Sequence, residues 1–320
     1  MSETGKTAPR AADKTRESGR TSPPTERTVR ILNALAAAAP DALGVSEIGR
    51  RVGLAPSTCL GIVNELTRAG YLVREPGPRY GLGPAVALVG RAAERSRPAL
   101  GAARAAIERL AADLGLVCSA AAVVGGDITV LALAGNGAGS TPLVEVGARY
   151  PFAAPVGVMF AAWDTDDAVA SWLDRAPLPL GADRIARIHD VVATCRTQGW
   201  LAERLTDVEQ NLHRFLPELG THSEGERGRR ALAEAAAVFS RRDYLPGDLD
   251  DGAGAVHPVS TVTAPTFTVE GRPDLLLSAY VMRADATAAD IRAIAARLRG
   301  ECGAITALLG GRDPWHPDMP

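Results

Sequence analysis

Residues 45–84 read VSEIGRRVGLAPSTCLGIVNELTRAGYLVREPGPRYGLGP, and this stretch decides the fold. It divides into two short helices around a tight turn, followed by a two-stranded hairpin. Gly44 or Ser46 caps the first helix, and Glu47 puts an acid in its first turn, where the helix dipole favours negative charge. Gly53 ends that helix. Pro56 suits the first turn of the second helix, where a missing N–H costs nothing, and Gly70 supplies the stop. Within the second helix, Cys59, Ile62, Val63 and Leu66 repeat at the spacing of one buried face. Ser57, Gly61, Asn64 and Arg68 fall on the opposite face, small or polar as an approach to base edges and phosphates requires. The hairpin strands, Tyr71–Arg74 and Arg79–Leu82, flank a Glu75-Pro76-Gly77-Pro78 turn with an arginine on each side. A helix-turn-helix lays its second helix in the major groove, and a hairpin beside it acts as a wing. A helix pair that merely packs is the plainer alternative. The wing and the matching phase put DNA binding ahead of it.

Charge distribution points the same way. The chain of 320 residues has a net charge of −2, but the charge is unevenly spread. Residues 27–97 hold ten Arg against five Asp and Glu, while residues 98–320 hold twenty Arg against twenty-eight acids. A basic module on an acidic body fits a protein that meets phosphate at one end only. No apolar run is long enough to span a membrane, and residues 1–25 lack the apolar centre of a signal peptide. That segment reads as a disordered arm, and the protein is expected to be cytoplasmic. Cys59, Cys118, Cys195 and Cys302 form no C-x-x-C pair, which excludes a zinc finger and argues against a disulfide framework. The only lysines, Lys6 and Lys14, lie in the arm, so no Schiff-base or phosphate-loop lysine is available to a folded domain.

Along the chain, a first helix is predicted from Glu26 to Ala39 with Val29, Leu32, Leu35 and Ala36 on its buried stripe. A connecting helix begins at Pro84 and restarts at Pro98, running to Gly115. The domain boundary is placed near residues 91–98. VCSAAAVVG and ITVLALAG then read as strands around a Gly125-Gly126-Asp127 turn, and LVEVGARYPF continues in strand character. Val158–Trp163, Asp167–Leu173 and Asp183–Gln198 are predicted helices. Two later strands surround Glu270-Gly271-Arg272-Pro273, and a last helix covers Ala288–Leu309. Strands bracketed by helices predict an α+β domain on an antiparallel sheet. Residues 206–257 fit no simple pattern beyond a helix near Arg229–Arg241 and a loop.

Taken together, RTVRILNAL, VSEIGRRVGLAPST and RYGLGPAVALVG resemble the IclR (isocitrate lyase regulator) family of bacterial transcription regulators. Further on, VGARYPFAAPVGVMFAA, QGWLAE and TVTAPTFTVEGRPDLLLSAYV are collinear with that family's effector-binding segments. The resemblance implies a winged helix-turn-helix over residues 26–90 and a linker helix over 91–115. It also implies a GAF-like effector domain over 116–310, interrupted at 206–257, with 311–320 as a tail. A homodimer or homotetramer on a near-palindromic double-stranded operator is implied as well, with no cofactor and no catalysis. Carried over position by position, the effector site involves Val156, Gly157, Glu203, Thr261, Ser278 and Tyr280. The last two stand two apart on a strand and so share a face. Two departures matter. Polar or basic residues often stand early in the family's recognition helix, where this chain has Leu60 and Gly61. DNA reading then falls to Ser57, Thr58 and Asn64, with Arg68, Arg74 and Arg79 mainly on phosphates. Around Pro155–Met159 the family's glycine–lysine pair is missing, and Phe152, Pro155 and Met159 make the pocket apolar. A sizeable apolar effector such as an aromatic or acyl acid is expected, acting on a repressor. Control by a protein partner without a small effector is the alternative.

Other constellations are weaker. Gly135-Asn-Gly-Ala-Gly139 is followed by no helix and lacks the spacing of a phosphate loop. Glu209, His213, Glu218 and His222 read as surface residues rather than a metal site. Asp248, Asp250 and Asp251 lack the glutamate of a calcium loop. Cys118 and Thr261 sit on strands that face a pocket in this reading, and Ser119, His189 and Asp190 have no nucleophile context.

Overall fold

In the first unit the turn between the two short helices depends on a glycine. The ideal Cβ of Gly49 would lie 3.0 Å from the carbonyl oxygen of Leu54, whose own N–H donates to Gly49 O at 2.8 Å. The computed structural model describes residues 22–135, 144–206, 243–245, 247, 249–252 and 254–314. The chain divides into two compact units, Met1–Leu82 and Gly83–Pro320. The division therefore falls ahead of the expected boundary near 91–98, and the connecting helix belongs with the second unit.

The first unit contains α1 (Pro23–Ala38), β1 (Leu43–Gly44), α2 (Val45–Val52), α3 (Pro56–Arg68), β2 (Leu72–Glu75) and β3 (Arg79–Leu82). Gly44 is the N-cap of α2, and Gly53 closes it in the left-handed region at φ 64°. Gly70 (φ 77°) follows α3, and the Tyr71 N–H reaches back to Leu66 O at 2.9 Å, so the helix ends in a glycine-dependent turn. The strands form an antiparallel sheet in the order β1-β3-β2. Ile31, Leu35, Ile48, Val52, Cys59, Val63, Leu66, Leu72 and Tyr80 belong to one core. The predicted stripe on α1 needs correction: Ile31 and Leu35 are buried, while Val29 is 49 % exposed and Ala36 is exposed. Apolar residues from Val29 onward span a wide arc of this helix, so periodicity alone leaves the centre of its buried face open, and packing against α2 and β3 settles it.

The second unit begins with α4 (Pro84–Ser96) and α5 (Pro98–Leu114), each opening on a proline in its first turn. Then come β4 (Val117–Val124), β5 (Asp127–Ala134), β6 (Arg149–Pro151), α6 (Val158–Ala161), α7 (Asp166–Asp174), α8 (Ala182–Gln198), β7 (Leu201–Arg204), β8 (His257–Phe267), β9 (Pro273–Ala286) and α9 (Ala288–Leu308). The sheet is antiparallel, six-stranded and ordered β6-β5-β4-β9-β8-β7. Its two faces carry separate cores. One buries α5 and α9 over Cys118, Ala120, Val262, Ala264, Leu277 and Ala279. The other gathers α6, α7 and α8 over Ala121, Ile128, Leu201 and Leu276. Winged helix-turn-helix followed by an α+β antiparallel domain is the expected class.

Some boundaries differ from expectation. Among the described residues of LVEVGARYPF, strand geometry is kept only at Arg149–Pro151, because Gly147 adopts φ 89° and turns the chain. The helix predicted over Val158–Trp163 is a single turn, Val158–Ala161. Gly135 is described, but the rest of the glycine-rich stretch, the Glu209–His222 group, the helix near Arg229–Arg241 and Asp248 lie outside the described residues. Among the described residues no helix is long and apolar enough to cross a membrane.

The last helix carries a complete capping box. Thr287 Oγ1 accepts from the Asp290 N–H and Asp290 Oδ2 accepts from the Thr287 N–H, both at 3.1 Å. Replacing such a cap with alanine costs about 1 kcal/mol. Thr287→Ala should therefore lower the unfolding free energy of the second unit by that amount, read as a fall in its urea midpoint. Trp163, Trp172 and Trp200 all lie in this unit, so their fluorescence follows its unfolding. An unchanged midpoint would mean that the box adds nothing.

Candidate functional site

The outward face of α3 is defined by what its inward face buries. Cys59, Val63 and Leu66 are buried, and Cys59 Sγ points to Val45 O at 3.6 Å, tying α3 to the start of α2. Ser57, Leu60, Gly61, Asn64 and Arg68 are consequently exposed, and Thr58 is half-buried. No side chain caps the helix start, so the N–H groups of its first turn remain available to an anion. Arg68 is gripped by Glu65, with Nε to Oε2 at 2.9 Å and Nη2 to Oε1 at 2.5 Å. That hydrogen bond holds the Glu65 carboxyl below its ordinary range. On the wing, Arg79 Nε donates to Ala42 O at 2.7 Å. The register pairs Arg74 with Tyr80 and Glu75 with Arg79. Cross-strand partners share a face and neighbours alternate, so Arg74 and Arg79 lie on opposite faces of the hairpin.

In the second unit the six residues expected at an effector site all line one cavity of about 100 Å³. Its floor is the sheet face opposite α5 and α9. The pairing aligns polar side chains in two rows across the strands. Ser119 opposes Ser278, which opposes Thr263; Tyr280 opposes Thr261, which opposes Glu203. Ser119 Oγ and Tyr280 Oη are 3.2 Å apart, and Thr263 Oγ1 and Ser278 Oγ are 2.9 Å apart. The roof is Val156–Met159. Trp172 Nε1 donates to Val156 O at 3.0 Å, and Tyr244 Oη donates to Pro155 O at 2.6 Å, so both sides of the roof are pinned. Gly157 sits at φ 84°, where a Cβ would lie 2.6 Å from Ile128 Cδ1 and 2.8 Å from Phe152 Cδ2. Among the described residues of the wall, Glu203 is the one carboxylate, and none is Arg, Lys or His.

Several wall residues escape the sequence reading. Ser119 and Thr263 are cross-strand neighbours of Ser278, a signal that appears only once the register is known. Tyr150 and Tyr244 also join the wall, from a short edge strand and from an irregular segment that carry no periodic signal. Met159 lines the cavity as expected, but Phe152 and Pro155 do not. Phe152 packs edge-on against Phe160 with centroids 6.1 Å apart, below the Arg175 guanidinium. Cys118 does not line it either. It points into the α5 and α9 core, and burial pushes its thiol up to about 12, so it stays neutral. Asp250 accepts from the Gly252 N–H at 2.8 Å and Asp251 pairs with Arg292 at 2.5 Å. Among the described residues, no group of three or more His, Cys, Asp or Glu is placed to hold a metal.

Residues 24–76 match the family model of the IclR helix-turn-helix domain. The first unit is therefore an IclR-type helix-turn-helix domain. An IclR transcriptional regulator from Alicyclobacillus acidocaldarius shares the fold of nearly the whole chain, with a TM-score of 0.63 at 20 % identity over 91 % of this chain and 100 % of that one. HmgR of Pseudomonas aeruginosa gives a TM-score of 0.59 at 22 % identity, covering 89 % and 98 %. An IclR homolog from Microbacterium hydrocarbonoxydans, solved in complex with 4-hydroxybenzoate, gives 0.59 at 18 %, also covering 89 % and 98 %. No curated protein matches the chain. At these identities the likeness establishes the fold, and the match over residues 24–76 establishes the similarity of the first unit to the IclR helix-turn-helix domain.

The roof glycine offers a direct check on the cavity. Gly157→Ala would force a side chain into Ile128 and Phe152 at a left-handed φ. The roof should lift, breaking the Trp172–Val156 contact and red-shifting tryptophan emission, while DNA binding by the first unit persists. Unchanged emission would mean that the roof tolerates the methyl group.

Proposed function

We propose that this IclR-type DNA-binding regulator is controlled by a small effector held in the cavity under Val156–Met159, and that it acts as a repressor. One observation carries the reading: Val156, Gly157, Glu203, Thr261, Ser278 and Tyr280, distant in sequence, share the wall of a single cavity. A concave, mainly apolar site with a few converging polar groups is what small-molecule recognition needs. A homodimer or homotetramer on a near-palindromic operator would give each α3 a half-site, and a regulator of this kind works in the cytoplasm. The effector alters operator affinity only to the extent that it binds the two arrangements of the protein unequally.

The wall also bears on the effector's chemistry. Engineered apolar cavities of about 150 Å³ take up benzene, so a site of about 100 Å³ suits a smaller molecule unless the wall gives. Met159 is the wall residue with the most rotatable bonds and yields most readily. The Microbacterium protein's ligand carries a carboxylate, whereas the described wall here offers hydroxyls and the Glu203 carboxylate without a cation. Burying an ionised group without a counter-charge is costly. A compact, mainly apolar molecule with a hydroxyl, amide or carbonyl head fits better than an ionised acid.

Two measurements test this. Fluorescence anisotropy with duplex from upstream of the gene, against a scrambled duplex and across a salt series, should show tight and salt-sensitive preference for the former. Arg74→Ala and Arg79→Ala should each weaken binding to all duplexes and reduce the salt slope by about 1, as loss of one phosphate contact does. Equal slopes in the variants and the parent would remove the wing arginines from the interface. In the second, isobutyramide and isobutyrate are compared by thermal shift. The amide should raise the melting temperature more than the acid, and Ser278→Ala should cut the effect. A larger shift with the acid would reverse the reading of the head group.

A further inference from the structure

Glycine in the middle of a helix is unfavourable relative to alanine, because it has more backbone freedom to lose. Gly49 is required by its packing, with Leu54 O 3.0 Å from where its Cβ would be. Gly61 has no such neighbour, a condition it shares with Gly90, Gly101, Gly300 and Gly303, but among these it alone lies on the outward face of the second helix of the helix-turn-helix. At Gly61 a Cβ would meet nothing within 4 Å, and the residue is exposed on the outward face of α3. The fold thus gains nothing from the missing side chain. Beside it, Leu60 leaves 43 % of its surface in water, and Asn64 is exposed one turn further on.

Resting on the DNA-binding reading, we infer that Gly61 is the point of closest approach between α3 and the floor of the major groove. Leu60 reads a thymine methyl there, and Asn64 reads an adenine. The chemistry of the three positions is complementary. With no side chain at 61, the helix backbone settles deeper than an arginine or even an alanine permits. An apolar side chain at 60 then meets the thymine C5-methyl, the one apolar group on the major-groove edge of a base pair. The Asn64 carboxamide matches the N7 acceptor and N6 donor of adenine in a bidentate pair. Leu60 and Asn64 are separated by about 6 Å along the helix axis. A helix lying in the major groove runs obliquely to the DNA axis, so this separation puts the two contacts within a few base pairs of each other. The half-site core is therefore A·T-containing, read by shape and methyl contact where a basic side chain would read guanine.

The test uses the full-length protein and duplexes selected by it from a random pool. Selected half-sites should share a thymine and an adenine within a few base pairs of each other. Exchanging that thymine for uracil removes only the methyl, and it should weaken the parent protein about fivefold while leaving Leu60→Ala indifferent. Gly61→Ala should slow amide exchange within α3, as a better helix former does, and yet bind the selected duplex about tenfold more weakly with the salt slope unchanged. The inference is overturned by a Gly61→Ala protein that binds as tightly as its parent, or by a uracil effect equal in the parent and Leu60→Ala. A pool from which the parent selects nothing would overturn the DNA-binding reading itself, and this inference with it.

Discussion

The register of β9 between β4 and β8 is the constraint on which the second unit depends. Side chains alternate along a strand, so one slip of register would exchange every residue of one face for those of the other. Here Leu277 and Ala279 go to the α5 and α9 core, while Leu276, Ser278 and Tyr280 face the cavity. The same alternation separates Cys118 from Ser119 and Val262 from Thr261 and Thr263. Irregularities between His257 and Val259, between Val259 and Thr261, and between Pro265 and Phe267 break the β8–β9 ladder at fixed points. Bulges of this kind make a slip costly, because each would have to move with it. The polar rows of the cavity floor are thus set by backbone pairing across the sheet.

On the proposed reading, the hydrogen bonds of the roof are what would carry occupancy of the cavity to other parts of the same unit. Val156 is held by Trp172 of α7, and Pro155 is held by Tyr244. Tyr244 belongs to a short segment bonded to the edge strand, with Leu245 N–H on Ala202 O and Arg204 N–H on Asp243 O. A molecule pressing on Val156–Met159 therefore bears on α7 through one hydrogen bond and on the β7 edge through another. The closely packed glycine beneath leaves little room for continuous yielding. A roof of this kind changes between discrete arrangements, which is what a ligand with unequal affinity for them can exploit.

Much of this was legible in the sequence where local chemistry decides the outcome. The glycine stops at Gly53, Gly70, Gly115 and Gly199, the proline starts at Pro56, Pro84 and Pro98, and the Gly125-Gly126 hairpin all follow from backbone restrictions that a residue carries with it. The cavity was legible only in part. Ser278 and Tyr280 share a face by period alone, but Ser119 and Thr263 join them through pairing between segments far apart in the chain. The phase of α1 differs from expectation for a related reason: a helix whose apolar arc is wide takes its exact orientation from its neighbours. The placement of Phe152 shows the same limit, since an aromatic beside a pocket segment serves equally as wall or as support.

Charge on the first unit works through geometry more than through its sum. Arg68 is not idle on the surface but paired with Glu65, and both side chains are mostly exposed, at 75 % and 64 %. Exposed pairs contribute little to stability, so replacing the carboxylate by a phosphate oxygen costs the fold little. In the proposed docking, Glu65 would offset Arg68 until that exchange and weaken non-specific attraction there. The wing distributes its charge differently, with Arg74 and Arg79 on opposite faces of one hairpin. They cannot both lie against the same stretch of backbone. In the proposed docking, a hairpin entering a groove edge-on, with a phosphate strand on either side, is the arrangement that would use both, and base reading would fall to the uncharged side chains of α3.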